Sequence, residues 1–299
     1  MNRSGASTQI PRRLDKFVRE ASALSLAAIR EAWSAGRIRV YAATSDQARP
    51  ALGLNHLIHE GDAVELDGRR LCTRTEHITA KLNKPPAVTS TANDPLGQSD
   101  LAPWLARMPP GMFPVGRLDR ETTGLLLFTT DGELADVLLQ PASHLDKKYW
   151  LWLNEELTLH DPRLLAMTQP NLDFDCAKHV ELLRHTPDHS ELELTLDQGK
   201  HHQIRRLCRA LGLRLLHLHR RSIGPIALDG LGLGESCPLG EADVSALWAA
   251  VGGRERVRAA QIAALVRHAA KARHRGQPDA RLDAWLEDHA AKCRGHKSH

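Results

Sequence analysis

The spacing of apolar positions predicts short, alternating elements in the first seventy residues. Helical spacing runs through Arg13–Ala21 and through Ser25–Ala35, and the first residue of the second segment is a suitable N-cap. Gly36 is typical of a helix end, and Arg37–Val40 alternates between polar and apolar residues as a strand does. With a last strand at Ala63–Leu66, this unit of about sixty residues has room for little core, which favours surface recognition over catalysis.

Beyond a boundary near Glu76, apolar runs and helical segments are mixed without strict alternation. The strand-like runs are Gly124–Thr130, Tyr149–Leu153, Glu191–Leu196 and Leu213–His219. Helical spacing fits Glu133–Gln140, which ends at Pro141, and Gln203–Leu211, which ends at Gly212. Because strands outnumber helices, the pattern predicts an α+β fold with a largely antiparallel mixed sheet.

From Val244 onward the chain is rich in alanine and has helical spacing. The residues expected on one face of the first helix are Val257, Gln261, Ala264 and His268. A second helix has apolar residues three and four apart, at Leu282, Trp285 and Leu286. The pattern as a whole predicts three parts: a small unit at 11–70, a larger domain at 75–240 and a helical tail at 241–299.

Composition narrows the class of protein. A hydrophobic fraction of 42% with 25% charged residues is typical of a globular chain. No apolar run approaches the length of a membrane span, and Met1–Arg13 has no apolar signal-peptide core, so a cytoplasmic protein without membrane contact is expected. The five cysteines are scattered and none forms a Cys-x-x-Cys pair, which argues against a disulfide framework and a structural zinc site.

The net charge of +4 conceals an uneven distribution. Met1–Arg70 holds 11 basic and 8 acidic residues, and Arg254–His299 holds 11 and 5. Gln198–Arg221 holds seven lysines and arginines and no acid, whereas the rest of the middle of the chain is acidic overall. Separate basic regions on a near-neutral body favour a polyanionic ligand such as RNA, with solvated helix faces as the simpler alternative. For the C-terminal helices, docking on the body and an additional RNA contact are both open.

The most informative stretch is Pro114–Gly132, in which a turn carrying Arg117 and Asp119 precedes a buried apolar strand. Two arginines beside the carboxylate favour its ionised form, in which it can act as a nucleophile. The simpler alternative is an ordinary turn with Arg117 as a surface ion partner, because aspartate is common in turns. This stretch alone leaves both interpretations open.

Three sequence blocks, in this order, resemble the ribosomal RNA pseudouridine synthases, in the branch typified by the small-subunit enzyme RsuA. The blocks are Gly116–Asp119 with Thr123–Leu127 and Thr130–Gly132, then Lys147–Tyr149, then Leu196–Arg206 with Leu218–Arg220 and Ile223–Pro225. The resemblance extends from about Arg13 to Leu239 and departs from the branch at Gln198, where glutamate is usual. It implies that a uridine becomes pseudouridine when its uracil leaves the ribose through N1 and rejoins through C5. That reaction requires no metal, nucleotide or flavin, so no cofactor is expected.

The resemblance also implies roles for individual residues. Asp119 would be the nucleophile, Arg205 would pair with it, and Tyr149 would lie against the uracil as a candidate for proton transfer. Arg117 would fill the space that the flipped uridine leaves in the RNA, and Leu218 would pack against the base. The other residues of these blocks expected to contact substrate are Lys147, Gln203 and Arg206.

The N-terminal unit resembles the small RNA-binding domain named after ribosomal protein S4. The segments that carry this resemblance are Arg13–Phe17, Gly36–Val40 and Glu60–Asp62, while Val40–Thr44 departs from the family's usual turn. The resemblance implies contacts with RNA phosphates, and the residues expected to make them are Arg13, Lys16, Arg37 and Arg39.

Alternatives from other classes stay open at this point. One is a non-catalytic RNA-binding factor in ribosome assembly, although four intact site residues argue against it. Another is the same chemistry on transfer RNA. A zinc hydrolase is disfavoured, because the neighbouring His201 and His202 are expected to point in different directions, and no metal site is predicted. We expect a monomer whose partner is ribosomal RNA, free or in an assembly intermediate.

Overall fold

The computed structural model describes residues 10–22, 24–43, 48–49, 53–72, 76–92, 94, 96–170, 176–276 and 279–295. The chain divides into two compact units: the first comprises Met1–Thr75 with Arg254–His299, and the second comprises Glu76–Gly253. None of the helices in these residues is both long enough and apolar enough to cross a membrane. The boundaries at 11–70, 75–240 and 241–299 stay a prediction.

The N-terminal part of the first unit is a helix pair packed on a small antiparallel sheet. Its elements are β1 (Arg12–Arg13), α1 (Leu14–Ser22), α2 (Leu26–Ser34), β2 (Ile38–Tyr41), β3 (Ala48–Arg49), β4 (Leu57–Ile58), β5 (Ala63–Leu66) and β6 (Arg69–Leu71). The strand order is β3-β2-β5-β6, and β1 pairs separately with β4. The N-cap prediction is confirmed, because the Ser25 hydroxyl accepts a hydrogen bond from the Ala28 N–H at 3.2 Å.

The core of this part forms between the two helices and strands β2 and β5. Val18 and Ile29, from the helices, are fully buried and pack in one cluster with Val40 and Val64 from the strands. The predicted order of two helices followed by strands is confirmed. The sequence pattern does not predict β6, which continues the sheet as a hairpin partner of β5.

The second unit is built on a nine-stranded sheet. Its strands are β7 (Thr79–Lys84), β8 (Phe113–Val115), β9 (Thr123–Thr129), β10 (Lys147–Leu153), β11 (His179–His185), β12 (Ser190–Leu196), β13 (Leu215–Ile223), β14 (Ile226–Ala227) and β15 (Ser236–Pro238). Its helices are α3 (Ala102–Leu105), α4 (Gly132–Leu139), α5 (Pro162–Ala166), α6 (Gln203–Ala210) and α7 (Glu241–Ala250), with a 3-10 turn at Pro141–Ser143.

The strands lie in the order β11-β12-β10-β13-β9-β7-β15, with β14 beside β13 and β8 beside β9. The neighbouring pairs are antiparallel, except that β13 and β9 run parallel. The predicted α+β fold with a largely antiparallel mixed sheet is therefore confirmed.

The parallel pairing of β9 with β13 depends on Gly124, which lies opposite Arg220. Gly124 has φ at +104°, and a Cβ atom at this position would lie only 2.3 Å from the Arg220 carbonyl oxygen. A larger residue would therefore push the two strands apart. Every residue of β9 is buried, so this strand is a rigid support for the loop that precedes it.

The predicted elements of this unit are present with small shifts at their ends. The run predicted at Leu213–His219 begins at Leu215 and continues to Ile223, and the helix predicted at Gln203–Leu211 ends one residue earlier. The pattern does not predict β7, because its last two residues, Asn83 and Lys84, are polar and yet buried.

Two C-terminal helices, α8 (Gly253–His274) and α9 (Ala280–Gly295), complete the first unit. Leu282 of α9 is fully buried and packs with Leu57 of β4 and Ala269 of α8. Arg281 forms an ion pair with Asp62 at 2.9 Å. The tail therefore docks on the N-terminal part of its unit, and an additional RNA contact stays a prediction.

The predicted apolar face of α8 is correct at its start, where Val257 is buried and Gln261 is partly buried, and wrong by one position further along. Leu265 and Ala269 pack in the cluster around Leu282, whereas Ala264 and His268 are exposed. Alanine is only weakly hydrophobic, so the apolar face of an alanine-rich helix is poorly defined in the sequence.

Candidate active site

A cleft of about 700 Å³ opens on the second unit, above neighbouring strands β10 and β13. Its walls come from the loop before β9, the end of α4, and the segment 196–205 that leads into α6. The predicted site residues that line it are Arg117, Asp119, Lys147, Tyr149, Gln203, Arg205 and Leu218. Arg206, predicted with the same group, lies outside this lining.

Asp119 lies in the loop between β8 and β9. The loop is closed by a hydrogen bond from the Thr122 N–H to the Asp119 carbonyl at 3.0 Å. The buried Ser90 hydroxyl holds the preceding residue, donating to the Leu118 carbonyl at 2.7 Å and accepting from the Leu118 N–H at 3.0 Å. A side chain that satisfies both backbone groups of one residue leaves that residue little freedom to rotate, which fixes the direction of the next.

Lys84 is fully buried beneath the same loop. Its ammonium group donates to the carbonyls of Pro85 and Val88 at 2.8 Å and to that of Arg120 at 3.1 Å. Burial lowers the pKa of Lys84 to about 8, because desolvation disfavours the charged form. Ser90 thus holds Leu118 and Lys84 holds Arg120, the residues on the two sides of Asp119. The sequence does not reveal these contacts.

The carboxylate of Asp119 is held by Arg205 in the first turn of α6, so the predicted pairing of the two is present. Arg205 Nε donates to Oδ2 of Asp119 at 3.3 Å, and a terminal nitrogen of the same guanidinium donates to the Thr122 hydroxyl at 3.2 Å. Both charged side chains keep about 30% of their surface exposed. The carboxylate is therefore oriented by a fixed cation and still accessible from the cleft.

His202 makes the second contact with this carboxylate, which the sequence analysis missed. Its Nε2 lies 3.3 Å from Oδ1 of Asp119. His202 precedes α6 in a left-handed conformation, with φ at +53°. The spacing of three residues to Arg205 does not indicate this contact, because that spacing describes a helix face and the backbone of His202 is left-handed.

The predicted divergence of His201 and His202 is wrong. Their rings are stacked, with centroids 3.8 Å apart and planes 20° from parallel. The left-handed backbone at His202 is the reason, because side chains of adjacent residues diverge only in ordinary helical or extended conformations. No group of three or more potential metal ligands is found in the part of the chain that the structure describes.

Tyr149 and Leu218 form the floor of the cleft. Tyr149 of β10 lies opposite Arg220 of β13, and Leu218 lies two residues before Arg220 on the same face. Both Tyr149 and Leu218 are buried but line the cleft. Within the described residues, no group hydrogen-bonds the Tyr149 hydroxyl. An aromatic ring with an available hydroxyl suits contact with a flat heterocycle that has polar edges.

Arg117 lies at the mouth of the cleft, two residues before Asp119. Its side chain is exposed, and no carboxylate pairs with it among the residues that the structure describes. The guanidinium is therefore available for a ligand, in contrast to that of Arg205.

The remaining predicted substrate contacts have different surroundings. Lys147 donates to the Leu145 carbonyl at 3.0 Å, and burial together with the charge of Arg220 lowers its pKa. Gln203 is buried, and its side-chain amide donates to the Cys176 carbonyl at 3.4 Å. This contact holds a wall of the cleft. The guanidinium of Arg206 donates to the His201 carbonyl, which holds it outside the cleft.

The four predicted phosphate contacts lie in the first unit. Arg13 pairs with Asp15 at 2.8 Å, and Arg37 pairs with Asp67 at 2.6 Å. Arg39 on β2 is exposed and has no ion pair within the described residues. Lys16 lies on α1. Arg39 is thus the member of this set whose charge is most available to a polyanion.

Comparisons with known proteins assign the family. The family model described as RNA pseudouridylate synthase matches residues 79–210, the part that holds Asp119, Tyr149 and Arg205. A ribosomal small subunit pseudouridine synthase A from Escherichia coli is 31% identical over 238 residues, which cover 79% of this chain and 99% of the relative. A ribosomal large subunit pseudouridine synthase B from Bacillus subtilis is 29% identical over 239 residues, covering 79% and 95%. The chain belongs to the RNA pseudouridine synthase family, so the resemblance predicted from the sequence is confirmed.

A solved structure agrees at the level of the fold. A crystal structure of a pseudouridylate synthase covers 79% of this chain and 99% of its own, with a TM-score of 0.54 and 24% identity. As a member of the RNA pseudouridine synthase family, the protein is an isomerase that acts on RNA and makes pseudouridine.

Proposed function

We propose that the protein converts a specific uridine of ribosomal RNA to pseudouridine, with Asp119 as the nucleophile. The observation that carries this proposal is the Asp119 carboxylate, which is held between Arg205 and His202 and stays open to the cleft. Arg205 directs the carboxylate through a charge-assisted hydrogen bond, as a nucleophilic oxygen requires.

Asp119 supports a reaction in two stages. Attack of a carboxylate oxygen on C1′ of the ribose breaks the bond between C1′ and N1, and the electron pair of that bond leaves with the uracil. After the base turns, C5 forms a bond with C1′ and the carboxylate is released. C5 then loses its proton and N1 gains one, so the atoms balance as an isomerisation.

Tyr149 and Arg117 support proton transfer and base flipping, respectively. The ring of Tyr149, on the floor of the cleft, provides a face for the uracil, and its hydroxyl is available for the proton that leaves C5. A uridine inside an RNA helix must flip out to reach Asp119, which costs roughly a few kcal/mol. The exposed guanidinium of Arg117 is placed to fill the vacated space, where it can stack and donate hydrogen bonds.

The proposed target is ribosomal RNA because relatives named for both ribosomal subunits match most of the chain. We assign the first unit to RNA binding through an S4-like surface that includes the exposed Arg39. A non-catalytic assembly factor is not proposed, since the chain belongs to a family of enzymes and its Asp119–Arg205 pair is intact.

The test is a map of pseudouridines in total RNA from cells with and without the protein. We expect one site in ribosomal RNA that appears only with the protein and is lost with Asp119→Asn, which keeps the shape but removes the charge. A matched control is Asp197→Asn, because Asp197 is another carboxylate of the cleft and pairs with His144 instead of Arg205.

The two parts of the proposal fail separately. A dependent site found only in transfer RNA would replace the proposed substrate and leave the role of Asp119 intact. Release of tritium from C5-labelled target RNA measures the reaction in vitro. Release by Asp119→Asn at a rate near that of the unmodified protein would remove Asp119 from the nucleophile role.

A further inference from the structure

Arg220 is a buried arginine in the floor of the cleft to which the proposed reaction assigns no role. Its side chain is 5% exposed, and the residue lies directly opposite Tyr149 in the pairing of β13 with β10. It lines the same cleft as Asp119. A ligand whose flat face lies on Tyr149 would therefore bring its edge to Arg220.

The Arg220 guanidinium makes fewer hydrogen bonds than it has donors. Its Nε donates to the Leu125 carbonyl at 2.7 Å, which ties β13 to β9. One terminal nitrogen, NH2, is sealed from solvent and has no hydrogen-bond partner within the described residues. No carboxylate of those residues pairs with the guanidinium. A guanidinium carries five N–H donors, so a single carbonyl leaves most of its hydrogen-bonding capacity unused.

A tie between two strands does not explain this arrangement. The tie uses only Nε, and burying a charged group without a partner is strongly unfavourable. The surroundings increase the cost, because Lys147 lines the same floor and its pKa is lowered in part by the charge of Arg220. An oxygen acceptor that enters the cleft would offset this free-energy cost, because a charge-assisted hydrogen bond in a dry site is strong.

We propose that Arg220 donates a hydrogen bond to a carbonyl oxygen of the flipped uracil and so holds the target base against Tyr149. Uracil has carbonyl oxygens at C2 and C4. A bond to the C4 oxygen would also exclude cytosine, whose C4 amino group cannot accept from a guanidinium, whereas a bond to the C2 oxygen would not, because cytosine has the same carbonyl. The inference rests on the proposed function in one respect, namely that the base lies on Tyr149. Arg220 is then a substrate-binding residue, distinct from Arg205, which holds the nucleophile.

The test pairs a change in the protein with a change of one atom in the RNA. Three RNA fragments are made that contain the mapped target as uridine, 2-thiouridine or 4-thiouridine, because a thiocarbonyl sulfur is a weaker acceptor than oxygen. For the unmodified protein we expect one of the two sulfur substitutions to lower kcat/KM about tenfold or more. In Arg220→Met, kcat/KM on uridine should fall ten- to a hundredfold, and the same sulfur should then have little further effect.

The neighbouring residue gives the matched control. Arg221 lies over the ring of Trp150, 5.4 Å from its centroid, on the face of the sheet away from Tyr149. Arg221→Met should keep the full sulfur effect. Should Arg220→Met unfold at a markedly lower temperature, Arg220→Lys makes the same comparison, because its ammonium can replace the tie to Leu125 but has a different geometry toward the base.

Two results would overturn the inference. One is a sulfur effect, at either position, that is as large in Arg220→Met as in the unmodified protein. The other is an unmodified protein that turns over all three RNAs at equal rates. The RNA is whichever species the map identifies, so a target outside ribosomal RNA does not affect this test. Activity of Asp119→Asn with an intact sulfur effect would refute the nucleophile and leave Arg220 in its role.

Discussion

Nε2 of His202 lies 3.3 Å from Oδ1 of Asp119, on the carboxylate oxygen that Arg205 does not hold. Arg205 and His202 together define the plane of the carboxylate, since each contacts a different oxygen. The contact places a second side-chain nitrogen beside the proposed nucleophile.

This contact predicts an unequal response to three substitutions of His202. His202→Gln keeps a side-chain donor and should retain most of the activity. His202→Ala should lower kcat about fivefold, which corresponds to about 1 kcal/mol for one half-exposed hydrogen bond to a charged group. His202→Phe is the control for stacking, because it keeps a ring against His201 and removes the donor. Single-turnover tritium release measures all three, and a Phe variant as active as the Gln variant would show that stacking, not donation, is what matters.

The buried Lys84 predicts a pH dependence of stability. Its pKa is about 8 in the folded protein and near 10.5 in the unfolded chain. Between these values the unfolded chain binds more protons, so the contribution of Lys84 to the free energy of unfolding rises with pH across this window. The rise is at most about 1.4 kcal/mol per pH unit. Urea unfolding of the unmodified protein and Lys84→Met from pH 7 to 10.5 isolates it as the difference between them. A difference that does not change with pH would mean that burial does not lower this pKa.

Ala87 predicts a stabilising substitution. It lies in the exposed turn between Lys84 and Ser90 and has φ at +60°, a conformation that costs an alanine roughly 1–2 kcal/mol. Ala87→Gly removes this cost and loses roughly 0.4–1 kcal/mol through the freer unfolded chain, so we expect a net gain of about 0.5–1 kcal/mol. Ala106→Gly is the control, because Ala106 is exposed with φ at −63° and should lose stability. Thermal unfolding measures the stability of both variants. Equal changes in their unfolding temperatures would contradict the argument from backbone strain.

Arg117 predicts a defect that depends on RNA structure. Arg117→Ala should slow turnover about five- to thirtyfold on an RNA whose target uridine is paired, equivalent to about 1–2 kcal/mol. The defect should shrink on an RNA whose target is already unstacked, because flipping then costs less. Arg117→Lys keeps the charge and loses the planar group, so an intermediate result is expected. An equal loss on both RNAs would instead place Arg117 in the chemical step.

Arg39 and Arg37 form a matched pair for the proposed RNA surface of the first unit. Each phosphate contact contributes roughly 0.7–0.9 to the slope of log affinity against log salt concentration. Arg39→Gln should reduce the slope by about that amount. Arg37→Gln should reduce it less, because Asp67 already pairs with Arg37 at 2.6 Å. Filter binding over a salt series measures both. If neither variant changes the slope, Arg37 and Arg39 are not part of the RNA surface.

The sequence motifs identify the site residues that lie within short, recognisable segments. The turn that precedes the long apolar strand draws attention to Asp119 but leaves two interpretations open, and the roles of Asp119 and Arg205 follow only from the family resemblance. The resemblance to a family joined them, since 86 residues of sequence separate the two. Apolar runs and alternation predict β9, β10, β12 and β13. They do not predict β8, β11 or β7, in which the buried Lys84 looks like a surface residue in the sequence.

The contacts that sequence could not predict depend on unusual backbone geometry or close approach. His202 faces Asp119 only because its backbone is left-handed, which the sequence of a histidine pair does not indicate. Arg220 reaches the cleft floor because Gly124 lets β13 approach β9 closely. Both are properties of the assembled sheet and loops, so they appear only when tertiary structure is known.

The packing of Leu282 on Leu57, together with the Arg281–Asp62 ion pair, has a consequence for biosynthesis. A ribosome makes Leu57 long before it makes Leu282, and the whole of the second unit is synthesised in between. The segment that holds Leu57 therefore lacks part of its hydrophobic cluster until the ribosome has made α9. The second unit, whose residues are contiguous, has all its partners earlier. In a growing chain, the first unit is thus completed only after the second unit has been made.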